Sequence, residues 1–367
     1  MLRLADGEVI SSRLREALGA GPLLFNFSAS YSGGGYKRLR SYAKWFDTHG
    51  GAYFIIHRKN ALLAKEFPSN RYFVVAPGRW ARLWRDGAYL ESILSALPQP
   101  ALYYSYGIPL FARFGRVNWF HLSNALPLAS EYVPMSLADR LKFTLLGRRI
   151  RRGLAHADVI AAESEYSLDM IGRKYDSRLF VSSNGFDECF DEICRTGNEA
   201  REDLAVVVGT YRYKALDDAF RVFNMLRAAC PQLRLRVFGP STLVPPKMRS
   251  DAAVELVDIQ PPEVVIDALR KARHYISTSR IENSSNADLE GAFLSENAWL
   301  SDIGPHREML EGVAWSAVTV PGVVRQLIHV RSAELSTSVL KPWRQVIEEM
   351  LVRFVVADAV PNSNNTY

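Results

Sequence analysis

The chain has 367 residues, 48% of them hydrophobic, and a formal net charge of +6. That length exceeds one ordinary core and suits two α/β domains, and the hydrophobic content excludes a disordered chain. The basic excess fits a protein that binds phosphates or visits an anionic membrane and is too small to argue for nucleic acid. No apolar run reaches the length of a membrane span, and the start MLRLADGEVISSRL lacks a secretory apolar core. The three cysteines, Cys189, Cys194 and Cys230, have no metal-ligand spacing, which points to a reduced, cytoplasmic protein.

Ser12–Leu18 reads as a short helix or tail. The first clear strand is Pro22–Phe27. A polar turn, Ser28–Tyr36, carries Gly33, Gly34 and Gly35, and a helix follows to Thr48 with Leu39, Tyr42, Ala43 and Phe46 on one face. Strand, glycine turn and helix open a nucleotide-binding type of α/β domain. The spacing is not G-x-G-x-x-G and no acid ends the next strand, Tyr53–His57, which argues against a dinucleotide site. A single turn needing positive φ accounts for one glycine more readily than for three in a row.

Further strands are expected at Arg71–Val75 and Ala101–Tyr104, with a helix at Trp80–Leu97 between them. The tyrosines Tyr103, Tyr104 and Tyr106 end a strand as core or as a platform for an acceptor, with core the better fit. Val117–Leu122 is an apolar strand that ends in His121, with Ser123 and Asn124 next, so polar groups stand where α/β sheets bind ligands. Ser136–His156 is a long basic helix. It reads as a packed helix with a solvated face, and as a surface that anionic lipid head groups could attract. A strand at Asp158–Ala162 and another at Leu179–Ser182 close this half. Asn184-Gly185 is a turn pair. The charged, poorly patterned run 188–203 reads as a linker.

The second half opens with the buried strand Leu204–Val208, then Gly209-Thr210-Tyr211-Arg212-Tyr213-Lys214 and a helix, Ala215–Ala229. Strands at Leu233–Phe238 and Val254–Val257 follow, with a helix at Val264–Arg273. His274–Thr278 is a strand that turns into the helix Asn286–Leu294, with Ser284 or Ser285 as N-cap. Glu282 precedes that helix and Glu290 lies one turn inside it. The unpaired N–H groups at such a helix start suit a diphosphate, and a carboxylate such as Glu290 can accept hydrogen bonds from ribose hydroxyls. Ala298–Asp302 is a further strand, and a helix begins at His306–Glu308. Trp315–Val320 reads as the closing strand, Trp343–Ala357 as a final amphipathic helix, and Pro361–Tyr367 as a frayed tail.

The pair Glu282-x7-Glu290, with LEGAFLSENAWLSDIGPHREML around it and SSNGFD before the linker, resembles the retaining GT-B glycosyltransferases. More narrowly it resembles glycosyltransferase family 4, which includes bacterial mannosyl- and rhamnosyltransferases of surface polysaccharides such as O-antigen. The resemblance spans roughly residues 22–358. It implies two Rossmann-like domains facing across a cleft: an acceptor domain at 1–195, completed by a crossover helix in 343–367, and a nucleotide-sugar domain at 196–342. It implies that Gly33, Gly34 and Gly35 bring backbone close to the donor diphosphate, that Arg212 and Lys214 neutralise it, and that Asn283, Ser284 and Ser285 help hold it. His121 and Glu282 would act at the reacting sugar, Glu290 would bind the ribose, and Ser123 and Asn124 would meet the acceptor. Thr210 stands where the family has Arg, and Ala215 where it has Gly.

The implied reaction is metal-independent, with no cofactor beyond a nucleoside-diphosphate sugar; the closest-looking family members lean to a GDP-linked mannose or rhamnose. No Asp-x-Asp pair ends a strand, which agrees with the absence of a metal. The implied partners are that donor, a glycan or lipid-linked saccharide, and the inner membrane surface through the basic helix 136–156. Two alternatives stand beside this reading: a non-catalytic sugar-nucleotide binder, on the strength of Thr210 and Ala215, and a basic membrane-surface protein.

Overall fold

The computed structural model describes residues 21–76, 86–186, 200–336 and 340–359. The expected tail helix Ser12–Leu18, the start of the helix expected at Trp80, most of the 188–203 linker with Cys189 and Cys194, and Pro361–Tyr367 lie outside them. The chain divides into two compact units. One comprises Met1–Leu128, Leu141–Phe186 and Lys341–Tyr367; the other comprises Ala129–Arg140 and Asp187–Leu340.

The elements of the first half are β1 (Leu23–Phe27), α1 (Gly33–Thr48), β2 (Tyr53–His57), α2 (Leu63–Glu66), β3 (Arg71–Val75), α3 (Asp86–Ser95), β4 (Leu102–Tyr106), β5 (Val117–Leu122), α4 (Leu137–Gly153), β6 (Val159–Ala162), α5 (Glu165–Ile171) and β7 (Leu179–Val181). The seven strands form one parallel sheet in the order β3-β2-β1-β4-β5-β6-β7. Strands β1, β4 and β5 are buried along their whole length, as parallel strands covered on both faces must be. Alternation then sorts their side chains. Leu23, Phe25 and Phe27 pack with α1 and the C-terminal helix Trp343–Asp358. Leu24, Tyr103 and Phe120 join the opposite core with Ile150, Leu168 and Ile171. The expected final helix is thus present, and its Val346, Ile347, Met350, Leu351 and Phe354 are part of the first unit's core. A parallel bridge at Phe186 and Pro342 anchors it. Here the three glycines are not a free turn: they form the first turn of α1, and Gly33 takes φ +62°.

The second unit contains β8 (Glu202–Val208), α6 (Leu216–Ala229), β9 (Arg234–Phe238), α7 (Pro246–Arg249), β10 (Val254–Val257), α8 (Pro262–Lys271), β11 (Ala272–Ser277), α9 (Asn286–Leu294), β12 (Asn297–Ser301), α10 (Gly304–Met309), β13 (Ser316–Val318) and β14 (Leu327–Arg331). Its sheet runs β10-β9-β8-β11-β12-β14-β13. The first five strands are parallel; β14 pairs antiparallel with β12 and with β13. The expected closing strand is therefore one arm of an edge hairpin. Its partner LIHVR, with His329 and Arg331 in the pattern, gave too weak an apolar signal to be expected. Strand β8 also begins at Glu202, inside the run expected to be linker.

Both sheets have the doubly wound order in which the strands on either side of a central pair are laid down in opposite directions. In the first unit that switch lies between β1 and β4, in the second between β8 and β11. Ligands of open α/β sheets bind beyond the carboxyl ends of the strands at this point.

Candidate functional site

In the second unit the two loops at the switch point are stitched together. The turn after β8 runs through Gly209, with φ +90°, and a short helical turn Arg212–Lys214. The loop after β11 reaches back to it. Thr278 Oγ1 donates to the carbonyls of Lys214 and Ala215, both at 3.0 Å, and Arg280 N donates to Tyr213 O at 2.7 Å. These bonds hold Ala215 in the left-handed region at φ +48°, where no other non-glycine residue stands among the described residues.

Lys214 enters the middle of this knot and is only 7% exposed. Its Nζ lies 2.7 Å from Glu282 Oε1 and 3.4 Å from both Asp288 Oδ1 and Ser285 Oγ. Asp288 is the hub: it accepts from Tyr275 OH at 2.6 Å and faces His306 Nε2 at 3.0 Å. His306 Nδ1 sits 2.7 Å from the carbonyl of Ser301, and Ser279 Oγ donates to Glu282 at 2.8 Å. Burial acts against the Lys214 ammonium, but Asp288 and Glu282 outweigh it and raise its pKa above the ordinary lysine value. Burial likewise opposes the Asp288 carboxylate; Lys214, then His306 and Tyr275, hold it well below the usual carboxylate range. Lys214 and Asp288 are thus both ionised, and each stabilises the charge of the other.

Local sequence explains the geometry. Ser285 caps α9 by accepting from Asp288 N at 3.3 Å, so Asp288 occupies the first turn with its side chain turned inward. One turn on, Gly291 presses against the ring of Tyr275, where any side chain would collide, and this lets the phenol lie flat on the helix and reach Asp288. Glu290 is on the same helix and 8% exposed; Asn283 is buried and Ser284 half-buried. Arg212 differs from Lys214, two residues on. It is exposed and makes no ion pair among the described residues. Beside it Tyr211, half-exposed, stacks on Tyr213 with ring centroids 5.5 Å apart.

The first unit has its own polar cluster at the carboxyl ends of β5, β6 and β7. Arg38 of α1 is wholly buried. It donates to the carbonyls of Ser182 and Ser183 at 2.9 Å and to Ser182 Oγ at 3.1 Å, between the rings of Tyr106 and Trp343. Glu163 accepts from Tyr106 OH at 2.7 Å and from Asn184 Nδ2 at 3.2 Å, with Arg38 at 3.9 Å. His121 is also fully buried. Its Nδ1 meets Tyr104 OH at 2.8 Å, and its Nε2 faces Glu163 Oε1 at 3.9 Å. Burial, and then Arg38, hold its pKa well below the usual value, so the ring is neutral.

Gly35 lies close to Ser30 and to the ring of Tyr106. Ser123 and Asn124 follow β5, and Asn124 Oδ1 closes a local turn onto Leu126 N at 2.9 Å. The structure thus groups Lys214, Glu282 and Ser285 in one cluster, with Arg212 and Glu290 on the elements that build it, and places Gly33, Gly34, Gly35, His121, Ser123 and Asn124 in the first unit. Sequence reasoning passed over Asp288, Tyr275 and His306, and Arg38 and Glu163. An aspartate three residues after a Ser cap in an otherwise buried helix, and an arginine four residues before Tyr42 on an apolar face, were the available signals.

No protein-family model matches the chain, and no curated protein matches it in sequence. Solved structures match it in shape. Anabaena HepE, in complex with UDP-glucose, aligns over 92% of both chains at 14% identity with a TM-score of 0.53. A UDP-forming α,α-trehalose-phosphate synthase from Burkholderia vietnamiensis aligns over 92% of this chain and 96% of that one, at 9% identity and a TM-score of 0.53. The N-terminal domain of Candida albicans trehalose-6-phosphate phosphatase aligns over 91% of this chain and 92% of that one, at 13% identity and a TM-score of 0.52. At such identities the likeness is one of fold: two Rossmann-like sheets, parallel but for the edge hairpin of the second, and a C-terminal helix, the GT-B architecture.

Proposed function

We propose that this protein is a retaining, metal-independent glycosyltransferase that moves a hexose from a nucleoside-diphosphate sugar to a glycan or lipid-linked saccharide. The observation that carries the reading is the division of labour at the switch point of the second sheet. Lys214 is locked by Glu282 and Asp288, while Arg212, on the same turn, is exposed with no carboxylate partner among the described residues. A rigid knot that presents one uncompensated guanidinium beside the start of α9 suits a leaving diphosphate. Lys214 then acts by holding the turn and α9 together, and its charge reaches the diphosphate only as part of the cluster.

In this reading the second unit takes the nucleotide. Arg212 and the backbone N–H groups around Asn283, Ser284 and Ser285 receive the diphosphate. Glu282 and Asn283 orient the donor, and Glu290 takes the ribose. The first unit takes the acceptor at Ser123 and Asn124, with His121 at the reacting sugar and backbone at Gly33, Gly34 and Gly35 toward phosphate and acceptor. The bond from the anomeric carbon to the diphosphate oxygen breaks, and its electron pair leaves with the diphosphate. The acceptor oxygen bonds to that carbon on the same face, and the acceptor's proton passes to a phosphate oxygen of the leaving group. HepE is named with UDP-glucose and the Burkholderia enzyme as UDP-forming; the E-x7-E resemblance leans to GDP and to bacterial surface polysaccharide made at the inner membrane face.

The test is calorimetric titration of UDP, GDP, dTDP and CMP, with and without EDTA, followed by turnover assays with the matching sugar nucleotides. One diphosphate should bind regardless of EDTA. Arg212→Ala should weaken it by roughly 10- to 100-fold, since a hydrogen bond to a charged group contributes about 1.5–3 kcal/mol. Undiminished binding by that variant, or binding only with added magnesium, sinks the reading.

A further inference from the structure

The sequence marked α4 as basic, and the transferase reading leaves its arginines unused. The helix lies unusually close to its neighbours through two glycines. A side chain on Gly153 would collide with the carbonyl of Leu110, and one on Gly147 with that of Pro127. Beside this contact is a cavity of about 570 Å³, lined by Leu110, Phe111, Leu145, Arg148, Arg149 and Arg152, together with Gly153 and His156. Its size is that of a small-molecule site.

Two facts separate the cavity from an ordinary solvated face. First, Arg148, Arg149 and Arg152 form no ion pair among the described residues, and no carboxylate lines the cavity. Asp158, two residues after His156, is held by Arg113 at 2.6 Å and by Asn118 N at 2.8 Å. Second, the helix dipole accounts only for the cations of the last turn, Arg151 and Arg152. Arg148 and Arg149 stand a turn earlier and, with Arg152 at i+4 and i+3, repel one another along the helix. Cations that lack partners, repel each other and border an apolar wall form a site that an anion would complete. The wall of Leu110, Phe111 and Leu145 offers nothing to a bare ion. Guanidinium groups favour phosphoryl oxygens, which they can meet with paired donors.

We propose that this cavity binds a phosphoryl group carrying an apolar tail, with the oxygens on Arg148, Arg149 and Arg152 and the tail against Leu110, Phe111 and Leu145. The ligand chemistry is that of a phosphate amphiphile, whether a lipid in a bilayer or a dissolved phosphorylated molecule. Binding is read without turnover, so its outcome is separate from that of the transferase reading.

The experiment uses the full chain and hexyl phosphate, with hexanol and inorganic phosphate as the two halves of the probe. Hexyl phosphate should bind at least about tenfold more tightly than either half, because only it meets both the cations and the apolar wall. The variant R149Q/R152Q should lose that preference. The variant K142Q/R151Q, which removes two charges from the same helix outside the cavity, should keep it. Circular dichroism confirms that both variants are folded. Equal weakening in the two variants would reduce the effect to diffuse charge and overturn the site. Equal binding of inorganic phosphate and hexyl phosphate would overturn the amphiphile. Cosedimentation with phosphatidylglycerol vesicles but not phosphatidylcholine vesicles, lost in R149Q/R152Q alone, would identify the source as a bilayer lipid. Hexyl phosphate binding with no vesicle binding would identify a dissolved ligand.

Discussion

Among the described residues each unit buries one lysine or arginine at the carboxyl ends of its sheet, and the two are satisfied in opposite ways. Lys214 is held by charge: two carboxylates lie within 3.4 Å of its ammonium, and Asp288 draws in His306 and Tyr275 behind it. Arg38 is held by shape: its guanidinium is spread over two backbone carbonyls, a hydroxyl and two aromatic rings, with the Glu163 carboxylate at 3.9 Å. A compact ammonium suits the first arrangement and a planar fork the second. The consequence is mechanical. The Lys214 cluster joins the turn after β8 to α9 and α10. The Arg38 cluster joins α1 to the chain that follows β7, beside Trp343 of the C-terminal helix.

The comparison breaks most sharply at Lys214. Lys214→Met leaves the buried Asp288 and the half-buried Glu282 without their cation, and breaking a buried pair from one side costs about 3–5 kcal/mol. Chemical denaturation should show a loss of that size. The double variant K214M/D288N, which also removes a charge from the other side, should recover part of it. No recovery would mean that the cluster is not the compensated network described. Arg38→Lys tests the other principle. The charge survives but the fork does not, so two carbonyls lose partners, and a loss of roughly 2 kcal/mol is expected from the cost of buried unsatisfied groups. A change within 0.5 kcal/mol, the ordinary range of surface substitutions, would show that charge alone held Arg38.

Acid should separate the two clusters. His121 is neutral in the fold, its pKa lowered by burial and then by Arg38. In the unfolded chain it takes a proton below about pH 6.5. Its folded pKa is the lower one, so it adds nothing to the pH dependence at neutral pH and lowers stability as pH falls below 6.5, by up to about 1.4 kcal/mol per pH unit. Asp288 also has a lowered folded pKa, but its unfolded reference is about 3.9. Its contribution is present above that value and is lost as pH falls below it. Hydrogen exchange followed by peptide should therefore show β5 and its neighbours loosening between about pH 6.5 and 4.5, while the Asp288 contribution at α9 is lost only below about pH 4. His274 and His329, whose pKa values burial also lowers, add a loosening of β11 and β14 below about pH 6.5. In His121→Gln the slope in β5 should disappear, while the slopes in β11, β14 and α9 remain. A slope unchanged in that variant would assign the early loosening to another group.

The sheets were legible because buried parallel strands are apolar without interruption: LLFNF and LAVVV could hardly be anything else. The helix Asn286–Leu294 was legible to the residue, because its Ser cap and its length agree. The edge hairpin was not, since β14 mixes His329 and Arg331 into five residues and borrows its stability from β12. The candidate site was half legible. Lys214, Glu282 and Ser285 stood out by position, but whether Lys214 is free or paired depends on Asp288 folding inward across 74 residues of chain. No local pattern reports that. Arg38 was hidden for the same reason, its partners lying 144 and 145 residues away.

The smallest expected effect is at Ala215. It departs from the glycine that the resembled family places there, and it nevertheless takes the glycine conformation, φ +48° and ψ +54°. Thr278 imposes this by donating to the carbonyls of Lys214 and Ala215, on either side of the Ala215 Cα. A left-handed non-glycine residue costs about 1–2 kcal/mol, whereas glycine adopts the conformation freely but has more entropy to lose on folding. The net for Ala215→Gly should be a gain of about 0.5–1 kcal/mol. If Thr278 is what imposes the strain, Thr278→Val should loosen the turn, and Ala215→Gly in that background should gain less, because the alanine is then free to relax. Equal gains in both backgrounds would place the strain in the turn after β8 itself, and the two loops at the switch point would then be neighbours rather than one unit.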